Sequence, residues 1–238
     1  MATLSNAHVI FINGLGLEEA LTTNLTNIGG VSVIAVNAGV KMLVHADKHS
    51  DDEQGDDEHA HEAGDPHTWF SIHAVKVWVE NIASVLSDLD PANAEVYAMN
   101  AAAYRAELET LATELDDLVA TLPVNQRKLV TDHEAVSYLA AAYDFTIIGA
   151  VIPSFSTMAA PSAQELAQLQ KQIETEGVSA IFVSVSANAD LSTQIAQDLG
   201  IQVVPIYVES LSAADGPAAD YIAFMRHTLT TIVEALAP

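Results

Sequence analysis

Short unbroken apolar runs alternate along this chain with longer stretches in which apolar residues recur every three or four positions. The first run, His8–Asn13 (HVIFIN), is closed by Gly14-Leu15-Gly16; Leu17–Asn27 then reads as a short helix, and Val31–Val36 (VSVIAV) as a second buried strand after Gly29-Gly30. Strand, helix and strand make one βαβ unit, and such a crossover implies a parallel sheet with covered faces. From Thr68 to Leu89 the residues Ile72, Val75, Val79, Ile82 and Leu86 fall on one face of a helix. Asp65 is expected as its N-cap and Pro66 at its first position, which puts His67 at the head of the helix. Asp90-Pro91 breaks that helix and starts another, Ala92–Leu122, with no Gly or Pro until Pro123. At 1.5 Å per residue this helix would be about 45 Å long, longer than a small domain is wide, so it reads as a spine joining two lobes.

The second half alternates regularly. Strands are expected at Lys128–Val130, Thr146–Ile152, Val178–Val185 and Val203–Val208. Helices are expected from Thr131 through Ala142, over Ser162–Glu176 with Ser162 and Glu165 as a capping box, over Ala189–Leu199 and over Ala218–Leu236. The pattern predicts an α/β fold: two parallel-sheet lobes joined by a long helical spine, with residues 1–90 as the first lobe, 91–122 as the connecting helix and 123–238 as the second lobe.

One tract obeys neither period. Between Val44 and Trp69 stand five of the nine histidines, His45, His49, His59, His61 and His67, among nine Asp and Glu residues. Its middle, residues 45–64, has nothing apolar enough to pack and is expected to be a solvated, mobile loop. A His-rich short tract reads as metal binding, against the plainer reading of an acidic loop whose histidines are incidental. Eight Lys and Arg against 32 Asp and Glu give the chain a net charge of −24. That argues against nucleic acid and anionic membranes as partners and favours cations. Half of the residues are hydrophobic, enough for a sizeable core, and no stretch of the length needed to cross a bilayer is apolar throughout. Without Cys there are no disulfides, thiolate sites or thiol nucleophiles, so imidazole and carboxylate are the metal ligands on offer. The N-terminal residues, which run straight into a strand, are not expected to be a signal peptide.

In open α/β sheets ligands sit beyond the carboxyl ends of strands. His133 is expected just past a strand end, in the first turn of its helix, with Thr131 and Glu134 spaced as a capping box. Glu209 follows Tyr207-Val208 directly. With His67 they make two imidazoles and a carboxylate, a set that suits zinc, with manganese or iron as alternatives. Singly, each has a plain explanation as a solvent-facing residue; His8 and His73 read as structural or solvated. A zinc hydrolase would use the same three ligands, an open water position and Glu134 as general base, but Ser137 stands where an HExxH helix needs its second His. A metal buffer or surface adhesin acting through the loop alone is the other alternative.

Gly14-Leu-Gly-Leu-Glu18, Asp65-Pro-His-Thr-Trp69, Asp90-Pro-Ala-Asn93, Thr131-Asp-His-Glu-Ala135, Glu209-Ser-Leu211 and Tyr221-Ile-Ala-Phe-Met-Arg226 occur here in one order. In that order they resemble the zinc and manganese substrate-binding proteins, the ZnuA-like and TroA-like extracytoplasmic components of ABC importers. The resemblance implies a non-enzymatic protein of the periplasm or lipid-anchored at the cell surface. It would capture Zn²⁺, with Mn²⁺ as alternative, between two lobes, hand it to a membrane permease, and shift its lobes only slightly on release. It implies His67 as the histidine of the Asp-Pro-His motif, His133 at a position that is His in zinc proteins and often Glu in manganese proteins, and Glu209 at the terminal acidic ligand, usually Asp. The acidic tract with His45, His49, His59 and His61 resembles the metal-collecting loop of zinc-specific members. The family normally carries, before the Gly-Leu-Gly-Leu-Glu motif, two strands and a further ligating His. The first lobe is therefore expected to be incomplete, with a sheet edge open to self-association and a three-ligand site that binds metal less tightly and less selectively.

Overall fold

The computed structural model describes residues 4–27, 30–43 and 64–237. The acidic tract with His45, His49, His59 and His61 lies outside the described residues. The chain divides into two compact units, Met1–Glu107 and Leu108–Pro238.

In the first unit, β1 (Val9–Ile12), α1 (Glu19–Thr26) and β2 (Ser32–Ala35) form the expected βαβ arrangement. The two strands pair in parallel from Val9 opposite Ser32 to Ile12 opposite Ala35. Gly14, at φ +84° with Ala35 Cβ 3.1 Å from where its own Cβ would stand, makes the turn out of β1. Glu18 closes that turn by accepting from the amides of Asn13 and Gly14 at 2.6 and 2.9 Å.

The helix expected from Thr68 starts later. Thr68–Phe70 is a single 3-10 turn, and α2 (Ile72–Leu89) is capped by Ser71, whose hydroxyl accepts from the Ala74 amide at 3.2 Å. Asp65 is thus not the helix cap, nor is Pro66 its first residue, because the Asp65 carboxylate is taken by His67. After a 3-10 turn at Pro91–Asn93, α3 (Ala94–Ala120) runs for 27 residues, shorter than the expected Ala92–Leu122, and the boundary between the units falls inside it.

The second unit holds β3 (Lys128–His133), α4 (Ser137–Tyr143), β4 (Thr146–Ile152), α5 (Ala163–Glu176), β5 (Ala180–Ser184), α6 (Asp190–Leu199), β6 (Gln202–Ile206) and α7 (Tyr221–Leu236). The sheet is wholly parallel, in the order β4-β3-β5-β6. All five residues of β5 are buried, as a central strand covered on both faces requires. Val130, Ile181 and Val183 pack with Leu169 and Ile173 of α5 and Ile195 of α6; α7 packs against β5 and β6. The Ser162–Glu165 capping box forms as expected, and Gly177 and Gly200 end α5 and α6 in the left-handed conformation.

Two boundaries bear on function. β3 continues to His133, which pairs opposite Ile152 of β4, so this residue ends a strand rather than opening a helix. The expected Thr131–Glu134 capping box is absent: the Thr131 hydroxyl donates to the His133 carbonyl at 2.7 Å, and α4 begins only at Ser137. β6 ends at Ile206, three residues before Glu209. Among the described residues no helix is long and apolar enough to cross a membrane.

Candidate metal centre

The strand order of the second unit fixes where chemistry can sit. From β3 the chain crosses to β4 on one side, and from β5 to β6 on the other, so connections diverge between β3 and β5. Such a divergence opens a crevice at the carboxyl ends of the two strands. His133 is the last residue of β3 and Ser184 the last of β5.

His133 is 1 % exposed. Its Nδ1 donates to Asp132 Oδ1 at 2.9 Å, and its backbone amide donates to the same oxygen at 2.9 Å. The other oxygen of Asp132 accepts from the Ser184 amide at 3.0 Å, so one carboxylate ties the ends of β3 and β5 together. The imidazole Nε2 lies 2.8 Å from Glu209 Oε1. Glu209 Oε2 in turn accepts from the hydroxyls of Ser184 at 2.7 Å and Ser186 at 3.0 Å.

Burial alone would lower the His133 pKa, but the hydrogen bonds and charges of Asp132 and Glu209 outweigh it and hold it at about 9. Burial alone would raise Glu209, yet the bonds from His133 and Ser184, the imidazolium charge and Ser186 bring it to about 2. In the metal-free protein the pair is therefore an imidazolium and a carboxylate across most of the pH range. A cation taken up at Nε2 would replace the proton there, while Nδ1 would keep its own proton and its hydrogen bond to Asp132, the usual way a carboxylate orients a metal-ligating histidine.

The sign of the pH dependence follows. The raised histidine stabilises the fold fully below its ordinary value of 6.5, and that contribution is lost as the pH rises to about 9. The lowered glutamate contributes fully above 4.5 and loses its share as the pH falls toward about 2. The pair thus stabilises the metal-free protein most between 4.5 and 6.5. The difference in Tm between metal-free wild type and Glu209→Gln is expected to be widest in that window and to shrink on both sides. A difference that ignores pH would mean that the two groups do not hold the proton jointly.

His67 belongs to the first unit and is built by the same device. Asp65, fully buried, accepts from the His67 amide at 2.9 Å and from its Nδ1 at 2.8 Å. Because an ionised carboxylate can only accept, Nδ1 carries the ring proton and an ion would be taken at Nε2. The imidazole meets the ring of Trp69 edge-on, centroids 5.1 Å apart. The turn is held to the strand ends by two asparagines. Asn13, just after β1, donates to the Pro66 carbonyl at 3.0 Å. Asn37, just after β2, donates to the Asn13 carbonyl at 2.8 Å and accepts from Thr68 at 2.9 Å and from the Trp78 indole at 2.7 Å.

Of the three candidate ligands, then, the second unit brings His133 and Glu209 into direct contact, and His67 stands buried on its own carboxylate in the first unit. Glu134, the general base of the hydrolase alternative, gives its amide to the Ser154 carbonyl at 3.0 Å. Sequence reasoning passed over Asp132, Ser184, Ser186 and Asn37. An acid one or two residues before each histidine was the available signal for Asp132 and for the true role of Asp65; the serines and Asn37 carry no local signature.

The family described as zinc-uptake complex component A, periplasmic (ZnuA), matches residues 1–235. The manganese-binding lipoprotein MntA of Halalkalibacterium halodurans is 28% identical over 235 residues, covering 98% of this chain and 73% of the relative. The iron-binding protein YfeA of Yersinia pestis is 28% identical over 231 residues, 96% of this chain and 70% of that one. Among solved structures, the periplasmic zinc-binding protein TroA of Treponema pallidum aligns with a TM-score of 0.84 at 25% identity, covering 99% of this chain and 83% of the other.

Proposed function

The chain belongs to the zinc-uptake complex component A family, and from that premise we propose that its cargo is Zn²⁺, ligated by His67, His133 and Glu209. As a member it is an extracytoplasmic metal-binding component of an ABC importer, not an enzyme, and its relatives are binding proteins for manganese, iron and zinc. The zinc hydrolase alternative is dropped on that ground.

The observation that carries the reading is the carboxylate-backed His133, set against Glu209 at the diverging strands of the second unit. The preference for zinc rests on donor chemistry: two imidazoles to one carboxylate suit zinc better than manganese, which seeks oxygen. Three protein ligands leave a coordination position for water or for a donor that is not among these three. The acidic tract with His45, His49, His59 and His61 would gather cations, aided by the net charge of −24. Release would be to a membrane permease. Self-association through the edge of the β1–β2 sheet belongs to the same reading and is tested by the protein's mass in solution.

A competition titration of metal-free protein with Zn²⁺ and Mn²⁺ tests the assignment. One tight zinc equivalent is expected, weakened by about tenfold or more in His67→Ala. Weak binding of several ions, unchanged by the substitution, would overturn the ligand set and leave the acidic tract as the metal-binding part.

A further inference from the structure

Glu209 has two oxygens, and the structure treats them differently. Oε1 faces His133 at 2.8 Å, the side on which a metal would bind. Oε2 is held by the Ser184 hydroxyl at 2.7 Å and the Ser186 hydroxyl at 3.0 Å, and the two hydroxyl oxygens are 2.8 Å apart. Two hydroxyl protons thus serve three short contacts, and Oε2 is the common acceptor of two of them. This serine pair is itself anchored: Ser184 is buried at the end of β5, with its amide on Asp132 Oδ2. The carboxylate that orients His133 therefore also places the serine that orients Glu209.

We propose that Ser184 and Ser186 are positioning residues that set metal selectivity, by holding Glu209 to one-oxygen ligation through Oε1. The inference rests on Glu209 being a ligand, as read above, and goes on to say how it ligates. A carboxylate that gives one oxygen adds one to the coordination number; turned so that both oxygens face the ion, it adds two. Zinc is satisfied by four donors in a tetrahedron, whereas manganese favours six, mostly oxygen. Two hydroxyls on Oε2 oppose the turn that would bring it to the metal. Without them the longer glutamate side chain, 30 % exposed, is free to rotate and offer both oxygens. The hydroxyls thus penalise the larger, oxygen-seeking ion more than zinc, and discrimination comes from groups that never touch the metal.

The test compares zinc and manganese affinities, by chelator competition on the full chain, for wild type, Ser184→Ala/Ser186→Ala, the single variant Ser186→Ala and the hydroxyl-retaining Ser186→Thr. The double variant is expected to lower the ratio of zinc to manganese affinity by about tenfold, the lower end of what an outer partner contributes. Ser186→Ala should shift it part of the way, and Ser186→Thr should keep the wild-type ratio. Cobalt(II) gives a readout that a merely structural role would not move. The intense visible bands of a four-coordinate ion in wild type should weaken toward those of five or six coordination in the double variant. Because Ser186 lies at an exposed position, its single variants report even if the double variant folds poorly. An unchanged ratio and cobalt spectrum, with binding still lost in Glu209→Ala, would overturn this inference alone. Zinc binding indifferent to Glu209→Ala would overturn both it and the ligand assignment.

Discussion

In His133→Ala, zinc affinity is expected to fall by more than the roughly 10- to 100-fold that loss of an outer-shell partner costs, because a ligand itself is gone. The variant also removes the imidazole that bridges the two carboxylates of the centre: Nδ1 leaves Asp132 Oδ1 and Nε2 leaves Glu209 Oε1. Both carboxylates then lose the single positive charge that they share through the imidazolium. Breaking a buried ion pair from one side costs about 3–5 kcal/mol, and the figure here should sit near the lower end because Glu209 is 30 % exposed and its other oxygen keeps both serines. The two losses separate in calorimetry. Wild type gains about 2.7 kcal/mol when free zinc reaches a hundred times its Kd, and the variant should gain almost nothing at the same concentration. A variant whose Tm still climbs with zinc as the wild type's does would remove His133 from the ligand set.

Asp132→Ala is expected to damage fold and binding together. Its carboxylate accepts three hydrogen bonds, from the His133 amide, the His133 ring and the Ser184 amide, at 2.9, 2.9 and 3.0 Å, and the residue is only 5 % exposed. A hydrogen bond to a charged group is worth about 1.5–3 kcal/mol, and two main-chain donors would be left buried without their acceptor. Since the three bonds share one group their values do not add, and a loss of about 3–5 kcal/mol is expected in urea denaturation of the metal-free protein. Metal affinity should fall by about 10- to 100-fold, because the imidazole loses the partner that fixes its proton on Nδ1. Asp132→Asn should be intermediate: its amide oxygen still accepts from His133, while its NH₂ group is turned against the Ser184 N–H, donor to donor. A variant at Asp132 that matches wild type in both measurements would show that the strand ends hold their shape without it.

The contrast between these residues and those visible from the sequence has a physical basis. Local patterning acts through hydrogen bonds and apolar contacts three or four residues apart, and where these dominate the reading matches the structure. The capping box at Ser162 and Glu165, the strand Thr146–Ile152 and the parallel βαβ unit at the start of the chain are all of this kind. The misreadings arose where a side chain expected to serve as a cap had a stronger demand on it. Asp65 serves His67 rather than the next helix, and Thr131 bonds forward to the His133 carbonyl within a strand that keeps pairing with β4.

The sequence by itself determined that this is an α/β protein of a metal-binding family, that imidazole and carboxylate are the side chains it has to offer a metal, and which histidines and which glutamate to consider. Only the tertiary structure decided how they are held. Ser184 meets Asp132 across 52 residues and Glu209 across 25, and Trp78 meets Asn37 across 41. Those contacts exist because β3 and β5 lie side by side, with β4 and β6 outside them, and because both strands of the first unit end beneath the turn that carries His67. Strand order is a choice made by the whole chain as it buries its apolar faces, and no short-range pattern encodes it.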